Sequence, residues 1–332
     1  MAEPHPDDGF HPPTSDDPYW TETCWFTFAV PERRLSAQLY PFFRPNQGVC
    51  AAAAYAWDPT GDQPWNARYA KGFWHLPLPD QPLTDIELPN GIRYRCVEAL
   101  STYEIAYLDP DDGDFEVDLT FTGVLPPNRL AESHLDQPGR FTGTIRLGDE
   151  VIPVDSFGMR DRSWGSRSQF GADLHGSGAV RGGYSYATAS PADGFHAITM
   201  DWGDGCVAIH GYLNRDGEYA KVASGTRRVL ARRGGAPTRV VLELTDELGR
   251  SLTAEGTTLS RFGLHLNPNL FTWNCLTEWV WDGGSGFGED HDNWSAAGAR
   301  RFFADPAHRD HDHDHDHDGD DGDDRDPQEE PA

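Results

Sequence analysis

The sequence predicts an all-β protein arranged as two antiparallel barrels or sandwiches. Aromatic residues make up 12% of the 332-residue chain, and glycine (35) and proline (25) are both frequent. That composition suits short strands joined by tight turns. The strand-like segments fall into two series, and sustained helical periodicity is almost absent.

The first series comprises "YWTETCWFTFAV", "GVCAAAAYAW", "IRYRCVEAL", "YEIAYLD" and "FEVDLTFTGV". It ends in "RFTGTIRL-GDE-VIPVDSFGMRDRSWG", read as a hairpin closed at Gly148. The second runs through "GGYSYATAS", "FHAITMDWG", "CVAIHGYLN", "TRRVLARRG", "TRVVLELTD" and "SLTAEGTTLS" to "FTWNCLTEWVWDG". Short helical turns are expected only near Pro89–Ile92 or Asn293–Arg300. Two groups of about eight strands imply two closed or stacked sheets, because closure removes exposed edges. The expected division is a leader over 1–18, β domains over 19–175 and 176–303, and a tail over 304–332. The segment Pro126–Arg140 is the second choice of boundary, since a break there would strand the hairpin from its partners.

The formal charge of −27 is unevenly spread. Residues 305–332 carry thirteen acidic and two basic side chains, and residues 1–18 carry five acidic and none basic, leaving 36 acidic against 25 basic between them. A moderately acidic body with only two lysines, Lys71 and Lys221, does not suit a nucleic-acid partner. The tail "HRDHDHDHDHDGDDGDDRD" and the proline-rich leader are expected to be disordered. His311, His313, His315 and His317 offer weak, adventitious divalent-metal binding there, and no metal site is expected in the body. Five widely spaced cysteines with no C-x-x-C pair read as reduced thiols. Neither a secretory signal nor a span of about 18 apolar residues is recognised, so a cytoplasmic protein is expected.

Familiar cofactor motifs fail on context. Gly284, Gly286 and Gly288 form G-x-G-x-G without a strand-to-helix junction, and "DPDDGDFE" from Asp109 departs from a calcium loop. Walker, H-E-x-x-H, G-x-S-x-G and kinase signatures are missing, and no cofactor is expected.

The chemistry-bearing stretch is "GMRDRSWGSR", Gly158–Arg167. Strand alternation puts Phe157, Met159, Asp161 and Ser163 on one face, and Ser156, Gly158, Arg160, Arg162 and Trp164 on the other. Inside a barrel, Asp161 would sit among apolar neighbours that keep its carboxyl protonated, as a general acid requires. Arginines within reach, Arg167 above all, would instead hold it ionised. On "FTWNCLTEWVWDG" the alternation aligns Trp273, Cys275, Thr277, Trp279 and Trp281, with Asn274, Leu276, Glu278 and Val280 opposite. Tyr184, Tyr186, His196, His210, His265 and Glu278 are the further polar groups on expected strands.

"GRFTGTIRLGDEVIPVDSFGMRDRSWGSR" resembles the carotenoid hydratase (hydroxyneurosporene synthase) and AttH-like superfamily, in which a hairpin ends in Asp-x-x-Trp-Gly. "WTETCWFTF" and "LTEWVWDGGSGFGEDHDNW" look closer to an uncharacterised bacterial branch of that group. The likeness covers roughly residues 19–303 and implies two side-by-side lipocalin-like barrels. It also implies that Asp161 is the proton donor, with Trp164 and Gly165 completing the signature. The carotenoid enzymes tend to carry histidine after the aspartate, where this chain has Arg162, so a histidine relay is not implied.

Two readings follow. One is a cofactor-independent hydratase, isomerase or cyclase acting on a hydrophobic isoprenoid, steroid or polyketide-like molecule. Its candidate catalytic residues are Asp161, Tyr184 and Glu278, its ligand-binding residues Met159, Trp164, Tyr186, His196, His210 and Trp279, and its motif residues Arg160, Arg162, Gly165 and Arg167. The other is a carrier of such a ligand, with Asp161 a structural ion-pair partner. A third, metal handling, rests on the tail alone.

Overall fold

The computed structural model describes residues 5–166 and 181–312, apart from 202, 204 and 268. The first unit contains β1 (Trp20–Val30), β2 (Leu35–Arg44), β3 (Val49–Trp57), β4 (Tyr69–Pro77), β5 (Asp85–Glu87) and β6 (Ile92–Glu98). It continues with β7 (Thr102–Leu108), β8 (Phe115–Gly123), β9 (Asn128–Leu130), β10 (His134–Leu147) and β11 (Glu150–Ser166). These form one antiparallel sheet in the order β4-β3-β2-β1-β11-β10-β8-β7-β6-β5, with β9 on β10. The order ends at β4 and β5 without joining them, so this sheet is a half-barrel.

The second unit contains β12 (Arg181–Ser190), β13 (Asp193–Asp201), β14 (Cys206–Arg215), β15 (Glu218–Arg233), β16 (Ala236–Asp246), β17 (Ser251–Asn267), β18 (Leu270–Trp281) and β19 (Gly284–Ser295). Pairing of β14 with β15, in addition to the path from β14 through β12 and β19 to β15, closes these eight strands into a barrel. The fold is therefore all-β with two lipocalin-like units. The expected boundary at 175/176 lies outside the described residues.

Each unit has its own core. In the half-barrel, alternate residues of β1, Phe26 and Phe28, pack with Phe121 and Phe141. In the barrel, Ala187, Phe195, Leu213, Leu242, Trp279 and Trp281 fill the interior. All eleven residues of β1 are buried, because the face opposite Phe26 and Phe28 is covered by the barrel. Trp25 meets the barrel's Tyr184 and His291 with ring centroids 5.6 and 5.4 Å apart. Thr27 and Ser36 donate to the buried Glu289 carboxylate at 2.8 and 2.6 Å. The closing turn of the β10–β11 hairpin is Gly148-Asp149, and Gly148 takes φ 58°, a region open to glycine at little cost.

Both expected disordered ends are placed in part. In the leader, Asp7 and Asp8 are buried in a single turn, Pro6–Asp8. Burial of Asp8 is offset by Arg160 Nη2 at 2.9 Å and by the Leu100 amide at 2.9 Å. At the other end, Ser295 caps α1 (Ala296–Phe302), Phe302 packs on Trp294, and β20 (His311–Asp312) pairs with β15. Composition concealed both, because the contacts that order them are tertiary: buried Arg160 meets Asp8 at one end, and Trp294 meets Phe302 at the other. His313, His315 and His317 lie outside the described residues.

Candidate site between the two sheets

The hairpin brings Asp136 of β10 opposite Asp161 of β11, and β11 in turn pairs Asp161 with Trp25 of β1. Alternation then turns Met159 and Asp161 toward the barrel, while Arg160 and Arg162 turn to the other face. Arg160 pairs with Asp8 and lies 4.1 Å from the Tyr103 ring. Arg162 pairs with Glu22 at 2.8 Å and donates to the carbonyls of Thr23, Asp7 and Gly9. These two arginines of the signature fasten the leader onto β1. Arg167 lies outside the described residues.

Asp161 lines a cavity of about 290 Å³ that lies between the half-barrel and the outer wall of the barrel. Trp25, Gln38 and Tyr40 contribute from β1 and β2, and Tyr184, Ile198, Met200, Leu266, Leu270, Asn274 and His291 from the barrel side. The expectation of a ligand chamber inside a barrel is thus replaced. The barrel interior is filled by Trp279 and its neighbours, and by Arg227 bound to Asp290 and Asp292 at 2.6 and 3.1 Å. A register shift between Ile198 and Thr199, where β13 meets β14, falls at the cavity wall.

Polar groups converge beside the cavity. His134 of β10 has its Nδ1 2.7 Å from Ser163 Oγ and 3.8 Å from Asp161 Oδ2, and its Nε2 2.8 Å from Asp136 Oδ2. Asp136 is fully buried and accepts from the Tyr184 hydroxyl at 2.6 Å. His210 Nε2 stands 3.4 Å and His196 Nδ1 3.7 Å from the same Oδ2. Burial opposes ionisation of Asp136, but the adjoining His134 and the hydrogen bonds of His134 and His210 outweigh it and hold the carboxyl well below its usual range. Burial lowers His196 to about 3, so that ring stays neutral near pH 7. Burial, reinforced by Asp136 and Asp161, raises Tyr184 well above an ordinary phenol and keeps it a donor.

Of the residues singled out from the sequence, Asp161 and Tyr184 share the cavity wall, and His196 and His210 flank Asp136. Met159 and Tyr186 cluster with Trp25 and Tyr184. Trp164 stands apart, stacked on His11 with centroids 3.8 Å apart, and Gly165 beside it has φ 137°. Two assignments are corrected. Glu278 is exposed, because the outer face of β18 is covered by the first unit only near Asn274, not at its far end. Trp279 belongs to the barrel core, edge-on to Phe195, and not to a ligand stack. Residues missed were Asp136, His134, Gln38, Asn274 and His291. A usable signal existed for the first two: His134-x-Asp136 places both side chains on one face of a strand.

A half-barrel joined to an eight-stranded barrel, with a polar cluster in the seam, defines a tandem lipocalin-like protein. The chain belongs to the family described as a domain of unknown function, DUF7064, whose model matches residues 4–295. An AttH-type protein of Nitrosomonas europaea has a crystal structure that superposes with a TM-score of 0.57 at 15% identity, covering 90% of this chain and 98% of that one. Kievitone hydratase from Nectria haematococca superposes with a TM-score of 0.50 at 8% identity, covering 82% and 88% respectively. At such identities the likeness is one of fold. No curated protein matches the chain.

Proposed function

We propose that the chain is a cofactor-independent hydratase or isomerase acting on a hydrophobic isoprenoid, steroid or polyketide-like molecule, with Asp161 as its general acid. The observation that carries this reading is the position of Asp161: in the wall of a largely apolar cavity, with His134 behind it and Asp136 behind His134. Kievitone hydratase, a hydratase of the same fold, supports the class of reaction.

In hydration, the Asp161 carboxyl gives its proton to one alkene carbon, and water attacks the cation at the other. The proton released by that water returns to the carboxylate, so acid and base are the same group. Trp25 and Tyr184 present aromatic surface to the cation. Gln38 accepts from Trp25 Nε1 and Asn274 Nδ2 through Oε1, while its buried Nε2 has no partner among the described residues. That amide is a donor for a ligand oxygen.

The test is to extract the purified protein with organic solvent, identify the bound molecule by mass spectrometry, and incubate it in oxygen-18 water with wild type and Asp161→Asn. Label incorporated by wild type and lost in the variant is the result expected of a hydratase. A ligand bound equally by both and unchanged by either leaves a carrier.

A further inference from the structure

Glu289 and His291 lie two residues apart on β19, on the face turned to the half-barrel. Thr27 and Ser36 fill Oε1 of Glu289 at 2.8 and 2.6 Å, and His291 Nε2 stands 2.9 Å from Oε2. Because the carboxylate accepts from Nε2–H, Nδ1 keeps its lone pair. The His291 ring lines the cavity, stacked on Tyr184 and edge-on to Trp25, with its centroid 5.4 Å from each. No hydrogen bond among the described residues holds its Nδ1.

Gln38 is the complement. Its Oε1 is filled by Trp25 and Asn274, and Asn274 is the cross-strand partner of His291. The unpartnered Nε2 of Gln38 and the open Nδ1 of His291 therefore flank the same two side chains. The cavity offers a donor that lacks an acceptor and an acceptor that lacks a donor, a state in which enclosed polar groups are seldom left. A carbonyl or ether oxygen answers only the first. A hydroxyl answers both.

We propose that His291 is a specificity-determining residue that selects a hydroxylated form of the apolar ligand: the hydroxyl hydrogen goes to Nδ1, and the hydroxyl oxygen accepts from Gln38 Nε2. Glu289 is a positioning residue, since its carboxylate sets the tautomer that makes Nδ1 an acceptor. The inference rests on the reading of this cavity as the ligand site, but not on Asp161 as an acid.

The experiment titrates the full-length chain with three probes: naphthalene, 2-methoxynaphthalene, which only accepts, and 2-naphthol, which accepts and donates. Wild type should bind 2-naphthol about 5- to 150-fold more tightly than the ether. In Glu289→Gln the new amide donates to Nε2 and moves the ring proton to Nδ1, which should bring the two affinities within about threefold. His291→Phe, which keeps a stacked ring, should do the same, while Asp161→Asn should leave the preference unchanged. Long-range proton–nitrogen NMR of wild type without a probe should show His291 as the Nε2–H tautomer, a readout that needs no variant to fold. Equal binding of 2-naphthol and its ether by wild type, a preference that persists in folded Glu289→Gln and His291→Phe, or an Nδ1–H tautomer would each overturn the proposal. Loss of the preference in Asp161→Asn would hand the hydroxyl to that carboxyl and overturn it as well. Binding of none of the three probes would sink the ligand site together with the proposal, whereas missing oxygen-18 incorporation with the preference intact would sink the hydratase reading alone.

Discussion

His134 Nδ1 stands 3.8 Å from Asp161 Oδ2, across the pairing of β10 with β11. A histidine on the neighbouring strand thus stands beside the signature aspartate, and Asp136 lies behind it at 2.8 Å. The first prediction follows from that order. Asp161→Asn should reduce oxygen-18 incorporation by about 10²–10⁴-fold while leaving the near-UV circular dichroism unchanged. His134→Gln should lower turnover and shift its pH profile, while ligand affinity, read by fluorescence titration, stays within about threefold.

Gln38 tests the cavity separately from the chemistry. Removing its unpartnered Nε2 in Gln38→Leu leaves Trp25 Nε1 and Asn274 Nδ2 without their shared acceptor. Ligand affinity should fall by about 1–3 kcal/mol, or roughly 5- to 150-fold, where the ligand carries a hydroxyl or carbonyl. Isothermal titration with the extracted molecule reads this, and an unchanged affinity would place the ligand elsewhere.

The leader clamp predicts a stability effect remote from the cavity. Asp8→Asn leaves Arg160 buried without its counter-charge, which should cost about 3–5 kcal/mol. Replacing both at once, Asp8→Asn with Arg160→Met, should recover a large part of that loss in urea denaturation. Equal destabilisation by the single and double variants would show that the pair is not the source.

Strand alternation is enough to make the two faces of β11 legible in the sequence: it sets Arg160 and Arg162 opposite Asp161, and the fold places them so. The all-β class and the hairpin at Gly148 are legible for the same local reason. What alternation does not carry is the partner of each face. β18 shows this: Trp279 and Glu278 point to opposite sides as expected, but only long-range pairing decides that Trp279 meets a filled core and Glu278 meets solvent. Asp136 and His134 escape notice because their segment, Pro126–Arg140 with its three prolines, reads as a possible domain boundary, whereas in the fold it contains the start of β10. The cavity itself is made by residues as far apart in sequence as Gln38 and Asn274, a distance over which sequence periodicity carries no information.

The barrel interior sets the response to acid. Asp292 is fully buried; burial would raise its carboxyl, but Arg232, Arg227 and Arg181 outweigh it and hold the group far below its usual range. A carboxyl depressed in the folded state stabilises the protein fully above its unfolded value of about 3.9, and that contribution is lost as pH falls through that value toward the depressed folded one. Unfolding free energy should accordingly be insensitive to Asp292 near pH 7 and decline steeply below about pH 4. Asp292→Asn keeps a single acceptor oxygen, which can serve either Arg232 Nη1 and Trp294 Nε1, held at 2.6 and 2.8 Å, or Arg227 Nη1 at 3.1 Å, but not both, and it removes the counter-charge that buried Arg227 and Arg232 face. At pH 7 the variant should lose about 3–5 kcal/mol. Its stability should then change less between pH 4 and pH 2 than that of wild type, because the titrating carboxyl is gone. Parallel acid limbs for the two proteins in urea melts at fixed pH values would assign the acid sensitivity to another carboxylate.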